Sequence, residues 1–375
     1  MKNDIVKKIV IAVLIVIAIL VLLFVGREIA IRFFGLKTPS ISKSTSVDAK
    51  KIDLNFDSNM SYTHTVNNKY AYFVATDRIF VVNNSGDTKA EIPVDVKNPI
   101  VKSSGSYVVV ADLEGNSIYI IKGTDLKKNI IMTKKIKNVS VNSSGHCVVV
   151  TEGDMHKRDV TVYSEKGEEL FVWNSGSMLV MDAVMAKNNK NVIISSLDTQ
   201  SSTVKSVISF YNISKSEAVA TETIDSELVP ALSVYENYIY CVGESKTFIY
   251  NATGDKKGEI SYDDKSLLSY KVNKNGIIMG FSESTMNEKR YLIGIYSDSG
   301  KKKSDYRHDY EAKYLDVSNN YIVIDRAGLV SVVDYNGSEQ QLLDPGIDIE
   351  DLCFIGNTKK MVAITANGAY IISIK

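Results

Sequence analysis

The residue types that most often carry chemistry are few in this chain, and they are scattered. The histidines are His64, His146, His156 and His308, and no two have the i, i+2 or i, i+4 spacing that sets a metal pair on one strand or helix. The cysteines are Cys147, Cys241 and Cys353, too far apart for a CxxC site or a disulfide framework. Cys147 and Cys241 sit in apolar runs and read as core thiols. Cys353 falls on an innermost strand, where a core position is expected and a channel-facing one is the alternative. Asp263-Asp264 and the run "DIED" (348–351) supply carboxylates, and both are expected in solvated connections. No G-x-S-x-G, P-loop or EF-hand pattern occurs. This inventory predicts no catalytic set, no metal set and no cofactor.

The bulk composition narrows the classes further. Lys plus Arg is 44 and Asp plus Glu is 44 in 375 residues, so the formal net charge is +0. A nucleic-acid binder needs surplus cation to displace phosphate counterions, so that class is excluded. Charged residues at 23% with only 5 prolines exclude a disordered chain.

The hydrophobic residues are unevenly spread. Residues 9–26, from Ile9 to Gly26, read "IVIAVLIVIAILVLLFVG" without one charge. As a helix this run reaches roughly 27 Å, close to one bilayer core. Lys7, Lys8 and Arg27 flank it, and no small-x-small cleavage site follows. The expectation is an uncleaved signal anchor in the lipid bilayer. Residues 1–8 form a short cytoplasmic tail, 27–50 a juxtamembrane segment and tether, and 51–375 a domain outside the cytoplasm. Cations on the two sides of the span do not decide its orientation. The short tail and the large following domain favour the domain outside.

From Lys51 onward the periodicity becomes two, in short runs of Tyr, Val and Ile broken by Gly, Asn, Asp and Ser. No helix is expected there. A polar turn followed by a tight apolar strand recurs, as in "NNKYAYFVA", "SSGSYVVVA", "SSGHCVVVT" and "ENYIYCVG". A strand, a turn and a second strand follow each, as in "IFVVNNSGDTKAEI" and "VTVYSEKGEELFVW". The repeat is about 40 residues, the period of a four-stranded propeller blade. The prediction is all-β: a β-propeller of eight blades, with seven as the alternative count, preceded by a single transmembrane helix. The last copy ends in "AYIISIK", one strand short, and "KKIDLNF" near Lys50 is expected to supply the missing outermost strand. Most tyrosines, including Tyr119, Tyr163, Tyr211, Tyr250 and Tyr296, fall at repeat positions and are expected to pack between blades.

These repeats resemble PQQ-like and related β-propellers, WD40-like ones among them. The Gly-His and Trp-Asp pairs of WD40 repeats are absent, and the single Trp173 cannot supply tryptophan-docking motifs, so PQQ is not implied. Anchor and propeller together resemble the membrane-anchored Gram-positive family called domain of unknown function 5711. "SGSYVVVADLEGNSIYIIKG" and "SGHCVVVTEGDMHKRDVTVYSEKGEEL" carry that likeness. It implies the architecture and an envelope location, and no activity.

The functional candidate is a length asymmetry. The loops between second and third strands are short in most copies and long at 151–160, 196–207 and 282–292. They group mixed charge on one face: Glu152, Asp154, His156, Lys157, Arg158, Asp198, Glu283, Glu288, Lys289 and Arg290. Such a rim suits docking of an envelope protein or wall polymer. The basic run Lys301, Lys302 and Lys303 is expected on the opposite face. The rival reading is an enzyme or ligand sensor at the channel mouth, with His64, Asp182, Tyr270, Asp316 and Asp351 converging there.

Overall fold

Alternating residues in the repeats build short strands, and each blade grades from channel to rim. In residues 99–131, the first strand, Pro99–Ser104, is half-buried. The second, Tyr107–Asp112, is buried throughout, and the third, Ser117–Lys122, nearly so. The outermost, Asp125–Ile131, is mostly exposed. A strand buried on both faces reads as a continuous apolar run, which is why "YVVVAD" and "CVVVTE" stand out in the sequence. Each buried Val or Ile contributes about 1.5–3 kcal/mol, so the ring is held mainly by these middle strands.

The computed structural model describes residues 43–54, 62–155, 157–215, 217–284, 289–312 and 314–375. The expected anchor at 9–26 lies outside them. Among the described residues no helix is long and apolar enough to cross a membrane. Those residues form eight four-stranded antiparallel blades, one of them widened by an added strand. Blades 1 to 8 span 63–93, 99–131, 136–174, 179–225, 231–261, 266–308, 315–344 and 351–373. Innermost strands of successive blades touch all round, including those of blades 8 and 1, so the ring is closed. The eight-blade count holds over seven.

Closure joins the segment before blade 1 to the last strand. Lys50–Lys51 pairs antiparallel with the last strand, Lys50 opposite Ile371 and Lys51 opposite Tyr370. The Ile52 N–H donates to Ala369 O at 2.8 Å, and the Ile52 side chain is 2% exposed. The expected closing strand is therefore present, although its regular part is two residues long. The segment 27–50, expected as juxtamembrane segment and tether, contributes strand pairing near its end. Thr45–Ser46 adds a parallel fifth strand to blade 7, and Val47 is buried against Val323, Ile349 and Phe354. A two-residue bridge leaves no periodicity in the sequence, so the edge of blade 7 imposes this strand.

Hairpins between third and outermost strands share one device. Asn83 Oδ1 accepts from the N–H groups of Ser85 and Asp87, both at 2.9 Å. Asn251 and Asp334 repeat that pattern in blades 5 and 7. In blade 7 the turn also needs Gly337, at φ +77°, because a Cβ there would lie 2.0 Å from the Asp305 carbonyl oxygen of blade 6. The turn glycine thus sets how closely two blades pack. Tyr119, Tyr163, Tyr250 and Tyr296 are buried at their repeat positions, and Tyr211 is half-buried against Phe171 and Trp173.

Candidate functional site

Innermost strands point alternate side chains into the channel, so polar residues on them mark its lining. Some of these polar groups tie the ring together. Asp182 of blade 4 accepts from the Leu232 N–H of blade 5 at 2.8 Å, and from the Asn138 amide of blade 3 at 2.9 Å. Burial pushes its carboxyl up to about 6, against the bonds from the Leu232 and Ala183 N–H groups. Asp316 of blade 7 accepts from the Phe354 N–H of blade 8 at 2.7 Å in the same way. These carboxylates satisfy strand-end donors between blades, which is a structural role.

At the seam between blades 8 and 1 a different group assembles. His64 Nε2 lies 2.8 Å from Asp351 Oδ2, and Cys353 Sγ lies 4.0 Å from that same Nε2. Asp351 Oδ1 is held by the Leu352 N–H at 2.7 Å. Lys271 Nζ of blade 6 stands 3.1 Å from Asp316 Oδ1. These residues line a polar cavity of about 420 Å³, which also reaches Asn68, Gly105 and Asn357 in the turns between first and second strands. Asp351 is therefore a channel residue on the innermost strand Asp351–Phe354, not part of a solvated connection. Cys353 takes the channel-facing alternative, while Cys147 and Cys241 are wholly buried in their blades.

The electrostatics of the cluster follow from burial and pairing. Burial drives the Asp351 carboxyl upward, but the bond and charge of His64, the Leu352 N–H and the Lys271 charge together hold it below the usual range. Burial raises the Cys353 thiol far above its ordinary value, and Asp316 and Asp351 push the same way against Lys271. The Asp316 charge holds Lys271 firmly protonated. A Cys–His–Asp relay needs the carboxylate on one imidazole nitrogen and the thiol on the other, with a thiolate made accessible. Here both groups face Nε2 and the thiol is suppressed, so the cluster is not built as a nucleophile.

Of the channel residues expected to converge, His64 and Asp351 meet directly, with Asp316 beside them through Lys271. Asp182 and Tyr270 interact with each other electrostatically and do not line this cavity. Lys271 was not among the candidates read from the sequence, and Cys353 was expected in the core with the channel as the alternative. Their signal was the alternation "SLLSYKVN" and "DLCF", which places one residue in two on the channel side.

Where described, the long hairpins join second to third strands on the face where chains enter each new blade, and several of their charges are paired. Lys137 bridges Glu114 and Glu152 at 2.6 and 2.7 Å. Lys134 bridges Asp154 at 2.8 Å and Asp159 at 2.5 Å. Lys157 Nζ donates to Thr199 Oγ1 at 2.6 Å, linking the hairpins of blades 3 and 4. Arg158 donates to the Lys157 carbonyl, and Asp198 Oδ1 accepts from the Gln200 N–H within its own hairpin. In blade 6, Glu283 accepts from Arg307 at 2.8 Å, and Arg290 stands opposite Glu283 in register. His156, Glu288 and the side chain of Lys289 lie outside the described residues. Composition concealed the exposed apolar tips: Met155 is 94% exposed and Val204 50% exposed, on adjacent hairpins. On the opposite face Lys302 pairs with Asp305, and Lys303 donates to the Asn275 carbonyl at 2.7 Å.

Comparison with known proteins matches this architecture. BamB from Moraxella catarrhalis is 13% identical, covering 87% of this chain and 98% of that one, with a TM-score of 0.53. The C-terminal WD40 domain of Sif2 is 12% identical, covering 88% of this chain and 100% of that one, with a TM-score of 0.58. Hsv2 from Kluyvelomyces marxianus is 10% identical, covering 74% and 98%, with a TM-score of 0.51. At such identities the likeness is one of fold. The search of curated proteins gave no match. The sequence model of one family matches residues 42–374, so the chain belongs to the family of unknown function DUF5711.

Proposed function

We propose that this protein is a non-catalytic binding module, anchored in the membrane by residues 9–26, with its propeller outside the cytoplasm. Its long-hairpin face docks a protein of the cell envelope. The observation that carries the reading is the pair of exposed apolar tips, Met155 and Val204, on hairpins braced by Lys157 and Thr199. Apolar side chains held out on fixed elements and ringed by polar groups are what interface anchors look like. The paired charges favour a protein over a charged wall polymer. Lys134 and Lys137 each bridge two of the carboxylates Glu114, Glu152, Asp154 and Asp159, and Lys157 and Arg158 add two further cations on the same hairpin, so this part of the face offers no single-sign field. The suppressed Cys353 thiol and the shared His64 nitrogen weigh against the enzymatic reading of the channel.

The test is solubilisation of the full chain from membranes in mild detergent, with and without Met155→Asp and Val204→Asp together. The reading predicts one stoichiometric partner with the native chain and its loss from the double variant, while the variant's melting temperature is unchanged. Equal recovery with both chains would remove the docking face. Protease added to whole cells should cleave the propeller without lysis, and protection until lysis would reverse the orientation.

A further inference from the structure

The cluster at the ring seam combines three donors that favour one class of ligand. His64 offers an imidazole nitrogen, Cys353 a sulfur and Asp351 a carboxylate oxygen, and these atoms lie within 4.8 Å of one another. A tetrahedral cation with bonds of about 2.0–2.3 Å holds its donors roughly 3–4 Å apart. The separations of 2.8 Å from His64 Nε2 to Asp351 Oδ2, and 4.0 Å from Nε2 to Cys353 Sγ, bracket that spacing. Small rotations of side-chain ends would make them equal.

We propose that His64, Asp351 and Cys353 form a binding site for a borderline-soft divalent cation of the zinc class. Thiolate and imidazole together select Zn²⁺ and its neighbours over Mg²⁺ or Ca²⁺, which require oxygen donors. The cation binds between His64 Nε2 and Asp351 Oδ2, with the neutral imidazole in the tautomer that carries its one proton on Nδ1. The thiol proton leaves to solvent as sulfur binds. The carboxylate is pre-set, because the Leu352 N–H holds Asp351 Oδ1 and leaves Oδ2 turned to the site. The Lys271 ammonium does not oppose the cation strongly, since Asp316 neutralises it at 3.1 Å. Three protein donors leave a fourth position facing the cavity, open to water or to a small ligand. This inference does not rest on the docking face, which lies on hairpins away from the seam.

The full-length chain, purified in detergent and stripped with chelator, is titrated with Co²⁺ as a spectroscopic probe and then with Zn²⁺. The site predicts one equivalent of Co²⁺ per chain, a sulfur-to-cobalt charge-transfer band in the near ultraviolet, and bleaching of that band by Zn²⁺. Cys353→Ser should abolish the band, and Asp351→Asn should weaken Zn²⁺ binding by roughly tenfold or more. Cys241→Ala should leave the band intact, because that thiol is sealed within blade 5. Circular dichroism on each variant separates loss of the site from loss of the fold. Failure to bind one equivalent, or a band that survives Cys353→Ser in a folded chain, would overturn the assignment.

Discussion

His64 Nε2 meets Asp351 Oδ2 at 2.8 Å across a separation of 287 residues. The two belong to the first and last blades, so the contact exists only because the ring closes. Closure in turn depends on the segment before blade 1, which supplies the outermost strand of blade 8. The strand that removes a free sheet edge also fixes the seam where the channel cluster assembles.

Ile52 is the residue on which that closure turns. Its N–H bonds Ala369 O, and its side chain is buried in a cluster with Phe80, Val82 and Ile371. Ile52→Ala should cost about 2–4 kcal/mol of stability, read from the midpoint of urea unfolding. A loss below about 0.5 kcal/mol would show that the closing strand is an ornament on an already stable ring.

The turn glycines make a sharper comparison. Gly337 and Gly346 both have positive φ, at +77° and +64°. A Cβ at Gly346 meets nothing within 4 Å, whereas at Gly337 it would stand 2.0 Å from the Asp305 carbonyl oxygen. Gly346→Ala should cost only the backbone term, about 1–2 kcal/mol. Gly337→Ala should cost clearly more, because blades 6 and 7 must also separate. Equal melting temperatures for the two variants would contradict the role given to close blade packing.

Stability should carry two opposed dependences on pH. Burial among Tyr291, Tyr306 and Tyr310 pushes His308 down to about 4 from an ordinary value of 6.5, and Arg326 adds to this against Asp309, Glu339 and the Tyr310 carbonyl. The unfolded chain therefore takes up a proton before the folded one does. This contribution is complete above pH 6.5 and is lost as pH falls toward 4. Asp182 acts the other way: its carboxyl is raised from 3.8 to about 6, so the fold gains as pH falls through that window. His308→Gln should remove the acid loss and leave a fold that strengthens from pH 6.5 to 4, other carboxylates aside. The check is the difference in unfolding free energy between His308→Gln and the native chain across that range. A difference that does not change with pH would mean that His308 titrates alike in both states.

The ring was legible in the sequence because its determinants are local. Period-two runs such as "YVVVAD", and turns held by Asn or Asp, recur within each blade and need no distant partner. The closing strand could be inferred because the last copy lacks an outermost strand. The channel cluster was legible only as ingredients. His64 and Cys353 lie 289 residues apart, and only the topology of the seam puts them on one cavity. The docking rim was readable as loop length and charge, but not as energetics. The lysines that bridge its carboxylates, Lys134 and Lys137, come from the chain entering blade 3 rather than from the loops themselves. Thr45–Ser46 was illegible for a third reason: two residues on a neighbour's edge carry no period.

The docking claim is tested most directly by photo-crosslinking in intact cells, with a benzophenone amino acid placed singly at Met155, Val204 and Lys166. Met155 and Val204 stand out on the long-hairpin face, and Lys166 is exposed on the turn of blade 3 at the opposite end of its strands. The account predicts one discrete adduct of the same mass from positions 155 and 204, and none of that mass from 166. Adducts that are absent from 155 and 204, or equal at all three positions, would contradict it.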